Sequence, residues 1–373
     1  MTVFLRLLKY GANLVMREYR NILVYALVNL GDVVLSTSAI VLLRKAYPQA
    51  RITMMVRPVV RQAVENNPVI DDVVVFDYKA KGKSFSRMLA MVKELRKRKF
   101  DLAISFDRKL RPALLCFFAG IPVRVGPERV FDDKPSRVTW LYTHTIPIAH
   151  DLENTLQAET YQEIVRGFTG MQEHAKPVFA RIEEKNRRKA SELLSRLPDA
   201  DKKIALCIKG TFELKTWPKE YFARAAKELA GHYAVAFFIV GAPGDREYAD
   251  ELIAESSIPI LNFCGETDLV DLAAIFQQTD LFVTVDTGAT HIAATTRIPM
   301  VTMYGCTSPK RWHPINPNAQ VLTTEEPCCP CKCSPQECPS APKPRCLWGL
   351  DVESVLEECE ALLNGGKGIH ASV

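Results

Sequence analysis

The chain has 373 residues, 47% of them hydrophobic, 24% charged and 9% aromatic, a composition that excludes a disordered, collagen-like or coiled-coil protein. At roughly 150 residues per domain, that length predicts two domains, each able to bury its own core. Lys+Arg 48 against Asp+Glu 43 leaves +5, too mild for a dedicated nucleic-acid binder but compatible with a basic face for phosphate or anionic lipid.

No run approaches the roughly 18 to 20 apolar residues that a membrane-spanning helix needs. Residues 1–20 read as an amphipathic helix, with Phe4, Leu5, Leu8, Leu14 and Val15 among Arg6, Lys9, Arg17 and Arg20. Charges inside its short apolar stretch and the lack of a small-residue cleavage site argue against a signal peptide, which places the chain in the cytoplasm. From Asn21 onward, short β-rich runs alternate with helical stretches, the pattern of parallel βαβ units. A buried strand is expected at Ile22–Val28, a turn at Asn29-Leu30-Gly31, a helix from Asp32 to Tyr47 stopped by Pro48, and a strand at Arg51–Val56. Further strands are expected at Val73–Phe76, Leu102–Phe106 and Val123–Gly126, with a strongly basic helix over Ser84–Lys99. The first domain ends near residue 170. After Pro177 and a charged helix at Ile182–Leu197, the rhythm restarts with strands at Ile204–Ile208, Ala234–Val240, Leu281–Val285 and Met300–Tyr304. Helices fall at Lys219–Gly231, Asp245–Ser256, from about Ala289, and at Val352–Leu363. The domain boundaries read 1–170, 171–350 and, for the closing helix and tail, 351–373.

In open α/β sheets, ligands bind at the carboxyl ends of strands, where helix N-termini present free N–H groups to anions. Asn29-Leu30-Gly31-Asp32 puts a carboxylate at such a place; the ordinary reading of Asp32 is a helix cap, the sharper one a general base. Leu281–Val285 breaks into Asp286-Thr287-Gly288-Ala289-Thr290-His291, where Thr287 and the Gly288 backbone can donate to a diphosphate. A capped helix with a buried histidine is the equally weighted alternative. Lys209-Gly210-Thr211 to Lys215-Thr216-Trp217-Pro218 supplies two lysines and a hydroxyl after the first strand of the second half, and lysine is a good point charge for phosphate. Gly241 to Glu247 follows the next strand and carries an acid that can hold ribose hydroxyls, with a plain loop and helix cap as the equal alternative. There is no G-x-G-x-x-G, and Gly82-Lys83-Ser84 has Asp77 where a Walker loop needs glycine, so nicotinamide and ATP chemistry lose ground. His144 and His150 lack a metal-protease spacing and read as loop or surface residues.

Six of the eleven cysteines, Cys328, Cys329, Cys331, Cys333, Cys338 and Cys346, crowd into one Pro- and Ser-rich segment. They offer thiolates for a structural zinc or an iron–sulfur centre; a loop of reduced thiols or adventitious disulfides is the alternative. The N-terminal helix, Lys79, Lys81, Lys83 and the basic helix with Arg87, Lys93, Arg96, Lys97, Arg98 and Lys99 suggest peripheral docking on an anionic membrane leaflet.

Taken in order, Leu30-Gly31-Asp32-Val33-Val34, Lys215-Thr216-Trp217-Pro218, Asp286-Thr287-Gly288-Ala289-Thr290-His291 and Tyr304-Gly305-Cys306-Thr307-Ser308-Pro309 resemble glycosyltransferase family nine, the ADP-heptose:lipopolysaccharide heptosyltransferases. The resemblance covers about residues 20 to 360. It implies a GT-B fold, two doubly wound Rossmann-like domains facing across a cleft, the first for acceptor and the second for nucleotide sugar. It implies an inverting transfer from ADP-heptose to a lipid-linked saccharide, with Asp32 as base, Lys215 against the diphosphate, Asp286, Thr287, Gly288 and His291 as the donor loop, and no metal for catalysis. Thr211 is a further phosphate contact and Glu247 the match for the ribose-binding acid. Arg57, Arg108, Lys109 and Arg111 stand near strand ends of the first domain, where they can meet an acidic acceptor. Lys209-Gly210 replaces the usual proline-glycine, and Thr216 stands where arginine or histidine is frequent, so donor contacts differ from the common pattern. Two other readings stay open: the same fold with another donor or acceptor, and a degenerate transferase that binds a metal or senses redox through its cysteines.

Overall fold

The computed structural model describes residues 18–78, 84–129, 135–331, 334 and 336–365. The chain divides into two compact units, residues 1–181 and 182–373. The first is a six-stranded sheet of β1 (Asn21–Tyr25), β2 (Arg51–Val56), β3 (Asp72–Val75), β4 (Leu102–Ser105), β5 (Val123–Pro127) and β6 (His144–Ile146), in the order β3-β2-β1-β4-β5-β6. The second contains β7 (Lys202–Cys207), β8 (Val235–Ile239), β9 (Ile260–Asn262), β10 (Leu281–Val285), β11 (Met300–Tyr304) and β12 (Ala319–Thr323), in the order β12-β11-β10-β7-β8-β9. Every pairing between these strands is parallel. These are two Rossmann-like halves, and the fold class is GT-B.

Parallel strands are covered on both faces, so the central ones must be apolar throughout. In β1, Ile22, Leu23, Val24 and Tyr25 are all buried, as is the whole of β10. The helices of the first unit are α1 (Leu30–Ala46), α2 (Ser84–Arg98), α3 (Leu110–Phe118) and α4 (Gln157–Thr169). Those of the second are α5 (Glu184–Leu194), α6 (Lys219–His232), α7 (Arg246–Ser256), α8 (Leu269–Phe276), α9 (Gly288–Thr296) and α10 (Val352–Leu363), besides two single-turn pieces at Pro309–Trp312 and Arg345–Trp348. None of the described helices is long and apolar enough to cross a membrane.

The division falls at residue 181 rather than 170 because the intervening strand of chain is tied to the first unit. Val178 N donates to Thr37 Oγ1 at 2.9 Å, Asn67 Nδ2 donates to Val178 O at 2.8 Å, Arg181 N donates to Asn66 O at 3.2 Å, and Lys45 pairs with Glu173. The closing helix is likewise no separate module. Val352, Val355 and Cys359 of α10 are buried in the same core as Trp217 and Leu229, and Trp217 Nε1 donates to Leu350 O at 3.0 Å. The N-terminal segment expected as an amphipathic helix lies, up to residue 17, outside the described residues.

Candidate functional site

Sheet topology alone selects two places. In each sheet the strand order reverses direction once, between β1 and β4 in the first unit and between β7 and β10 in the second. At such a reversal the loops leaving neighbouring strands part, opening a crevice at their carboxyl ends. The loops at the first reversal carry Asp32 and Lys109; those at the second carry Lys215 and the segment Asp286 to His291.

At the first, α1 begins at Leu30, two residues before the expected start, so Asn29 occupies the cap position and Asp32 lies inside the first turn. Asp32 is therefore not a cap residue; it is 8% exposed, and the phenol of Tyr161 on α4 donates to its Oδ1 at 2.9 Å. Three cations gather nearby around one ring: Arg57, Lys109 and Arg111 lie 6.0, 5.4 and 6.0 Å from the centroid of Tyr78. Arg57 also donates to Asn29 Oδ1 at 3.3 Å, and Arg111 to Tyr78 O at 2.9 Å. The Lys109 ammonium donates to Leu27 O at 2.5 Å and to Asp107 Oδ2 at 3.3 Å, which ties the loop after β4 to the loop after β1. Burial raises the Asp107 carboxyl above its usual range, while Lys109 pulls it down. Arg108, the neighbour of Lys109 in the chain, is exposed.

At the second reversal, Lys215 closes a tight turn after β7. A Cβ on Gly210 would fall 2.3 Å from Lys215 O, so only glycine lets the turn fold back this closely. Lys215 Nζ then reaches Asp286 Oδ2 at 2.5 Å, and Thr307 Oγ1 donates to the same oxygen at 2.6 Å. Thr287 caps α9, its N–H donating to Thr290 Oγ1 at 3.4 Å, and Gly288 opens the helix, whose first N–H groups and dipole favour an anion. His291 is buried, and desolvation brings its imidazole down to about 4, so the ring is neutral at physiological pH. Its Nδ1 is buried without a hydrogen-bond partner among the described residues. The N-terminus of α9, the Lys215 ammonium held by Asp286, and the neutral His291 imidazole are thus brought together beyond the carboxyl ends of β7 and β10.

The family is decided by comparison with known proteins. The sequence model of glycosyltransferase family 9 (heptosyltransferase) matches residues 88–341. The chain belongs to glycosyltransferase family 9. Lipopolysaccharide heptosyltransferase 2 of Escherichia coli K12 is 25% identical over 311 residues, 78% of this chain and 84% of that protein. A putative glycosyltransferase of Haemophilus influenzae is 26% identical over 301 residues, 77% and 84% of the two chains. Among solved structures, the family 9 glycosyl transferase of Veillonella parvula superposes with a TM-score of 0.79 at 26% identity, covering 94% of this chain and 98% of that one. E. coli ADP-heptose lps heptosyltransferase II gives 0.75 at 24% identity, covering 92% and 99%, a likeness of fold.

Within this family 9 chain, the remaining expected positions are placed as follows. Thr211 is exposed on the turn after β7. Glu247 is exposed in the first turn of α7, while Asp245 is the acid drawn into the loop after β8: it accepts from Ala242 N at 2.9 Å and lies 3.5 Å from the Lys209 ammonium. His144 belongs to β6, half-buried with its ring 6.0 Å from that of Phe168, and so is neither a loop nor a surface residue, while His150 does lie in the loop before α4 and bonds Thr160 Oγ1 at 2.9 Å. Tyr161 and Thr307 were missed as site residues. Thr307 stands inside the Cys306-Thr307-Ser308-Pro309 motif, a signal that was present; Tyr161 carries none.

Cys328 is exposed, Cys329, Cys331 and Cys338 are half-buried, Cys346 is buried, and Cys333 lies outside the described residues. Burial, and after it the neighbouring Cys346 and Cys328, raise the Cys329 thiol. Cys331 N donates to Cys306 O at 2.8 Å, which anchors the segment beside the strand end that carries Thr307. Among the described residues, no three or more His, Cys, Asp or Glu side chains are arranged to hold a metal ion.

Proposed function

We propose that this glycosyltransferase moves a heptose from ADP-L-glycero-D-manno-heptose to an inner-core lipopolysaccharide acceptor, with inversion at the anomeric carbon. One observation carries the reading: each sheet reversal holds half of the required chemistry, a buried carboxylate in the first unit and an anion seat in the second. Asp32 takes the proton of the attacking acceptor hydroxyl as its oxygen forms the bond to the heptose C1. The C1–oxygen bond to ADP breaks on the opposite face, and the electrons leave with the diphosphate. The N-terminus of α9, the Lys215 ammonium and hydrogen bonds from Thr287 and His291 stabilise that developing charge, a part a divalent metal plays elsewhere. Asp286, an acid that would repel phosphate, serves by orienting Lys215 and Thr307. Arg57, Lys109 and Arg111 around Tyr78 favour an acceptor bearing carboxylate or phosphate. The names of the relatives, E. coli lipopolysaccharide heptosyltransferase 2 and a heptosyltransferase solved with ADP, support the donor.

A ligand that binds only the folded state stabilises it, so a thermal-shift panel with ADP, UDP, GDP, CMP and NAD tests the donor. ADP is expected to raise Tm selectively. A shift with UDP or GDP in its place keeps the fold and overturns the donor.

The acceptor's lipid implies work at a membrane, and we propose that the outer face of α2 and α3 meets an anionic leaflet. Phe85 on α2 and Phe118 on α3 are 75% and 53% exposed, Trp140 on the single turn Thr139–Leu141 that packs on α3 is 67% exposed, and along α2 the exposed face passes from Phe85 and Leu89 to Lys93, Arg96 and Lys97. Arg96 Nε donates to Phe118 O at 3.1 Å, and the Arg124 guanidinium lies 5.4 Å from the Phe117 ring centroid, so cations border the exposed rings. Lys79, Lys81 and Lys83 lie outside the described residues. Flotation with phosphatidylglycerol vesicles should capture the protein at low salt and phosphatidylcholine vesicles should not; Phe118→Asp with Trp140→Asp should abolish capture. Equal capture by both lipids, or an unaffected double variant, contradicts this face.

A further inference from the structure

The base has a partner that no motif announces. Tyr161 is completely buried on α4, 129 residues along the chain from Asp32, yet its hydroxyl donates to Asp32 Oδ1 at 2.9 Å. The ring cannot drift: its centroid lies 5.3 Å from that of Phe106, the residue that follows β4, with the planes tilted by 49°. Beside it, Thr160 is buried and holds His150 through a 2.9 Å hydrogen bond, which fixes the start of α4 to the preceding loop. A carboxylate that must take a proton from a sugar hydroxyl gains from a fixed orientation, because a misplaced base loses rate even when its chemistry is intact. A phenol donating to a carboxylate also stabilises its ionised form.

We propose that Tyr161 is a positioning residue for Asp32: it fixes the carboxylate's rotation and keeps it ionised in readiness for the acceptor hydroxyl. The inference rests on the reading of Asp32 as the base and adds a residue outside the loops that carry the family's motifs. Among the described residues, Arg57, which reaches Asn29, the Asp107–Lys109 pair, which reaches Leu27 O, and Arg111, which donates to Tyr78 O, are charged groups at this sheet end. Tyr161→Phe alters none of them.

The test compares Tyr161→Phe with wild type in heptosyl transfer across pH. The ring packing is kept and the donor lost, so kcat is expected to fall about tenfold to a hundredfold, the scale of one hydrogen bond to a charged group. KM for the sugar nucleotide and the thermal shift given by ADP stay unchanged, because the second unit is untouched. The acidic limb of the pH–rate profile moves to higher pH, since Asp32 then takes up its proton more readily. Thr160→Val is the structural control: it removes the neighbouring hydrogen bond to His150 and is expected to lower Tm without moving that limb. If Tyr161→Phe does not fold, Phe106→Leu carries the test, loosening the ring with the hydroxyl retained; a smaller shift in the same direction is expected. A folded Tyr161→Phe with wild-type kcat and an unmoved limb, or an unmoved limb in Phe106→Leu, overturns the proposal. An Asp32→Asn protein with undiminished transfer overturns the assignment of the base instead, so the two failures are distinguishable.

Discussion

Asp32→Asn is expected to lower heptosyl transfer by roughly 10² to 10⁴-fold, the range that a positioned general base supplies. The substitution is nearly isosteric. The carboxylate oxygen that accepts from Tyr161 becomes an amide oxygen that still accepts, so the 2.9 Å hydrogen bond survives in weaker form and the fold is preserved. What disappears is the capacity to take a proton. Because Asp32 belongs to the first unit and the Asp286–His291 segment proposed for the donor to the second, the rise in Tm expected with ADP should be retained while turnover collapses. Steady-state transfer measured beside a thermal shift separates the two effects. Loss of ADP binding together with loss of turnover would point to misfolding, and retained turnover to a different base.

Lys215→Ala is expected to damage both rate and stability. The ammonium is one of the groups assigned to the leaving diphosphate, and removal of one such stabilising donor typically costs about 10² to 10³-fold in rate. It is also the ion-pair partner of Asp286, with side chains only 16% and 8% exposed. Without it a buried carboxylate loses its cation and keeps, among the described side chains, the Thr307 hydrogen bond, a penalty of about 3 kcal/mol. The double variant Lys215→Ala/Asp286→Ala removes that orphaned charge. It should recover much of the lost Tm in thermal denaturation while remaining as slow as the single variant. If the double variant recovers activity as well, Lys215 acts only as a counter-ion to Asp286 and has no part in departure of the diphosphate.

The parts of this architecture legible in the sequence are those with continuous burial. β10 and β11 match their expected limits because every residue in them faces a covered layer, and α10 matches because its apolar period ends cleanly at Leu363. The short edge strands β6, β9 and β12 were not anticipated. Three to five residues with one side less buried carry neither an unbroken apolar run nor a clean alternation. Helix α8 escaped for the opposite reason: Leu269-Val270-Asp271-Leu272-Ala273-Ala274-Ile275-Phe276 is apolar nearly all round and so shows no helical period. In the site, the loops after β1, β7 and β10 were readable because glycine turns at strand ends have a local signature. The pairing of Tyr161 with Asp32 was not, since it is made by the packing of α4 on α1 and leaves no trace at either position. Likewise the partnership of Lys215 and Asp286 joins residues 71 apart and shows only once β7 and β10 are neighbours.

The most direct test of the account is a single transfer reaction. Purified protein is given ADP-L-glycero-β-D-manno-heptose and an inner-core lipopolysaccharide acceptor in the presence of a metal chelator. ADP release and the configuration of the new linkage are then read by chromatography and NMR. ADP released in step with a heptosylated product of inverted anomeric configuration is the predicted result. A product of retained configuration, transfer that stops when the chelator is added, or release only from a UDP- or GDP-sugar would contradict it.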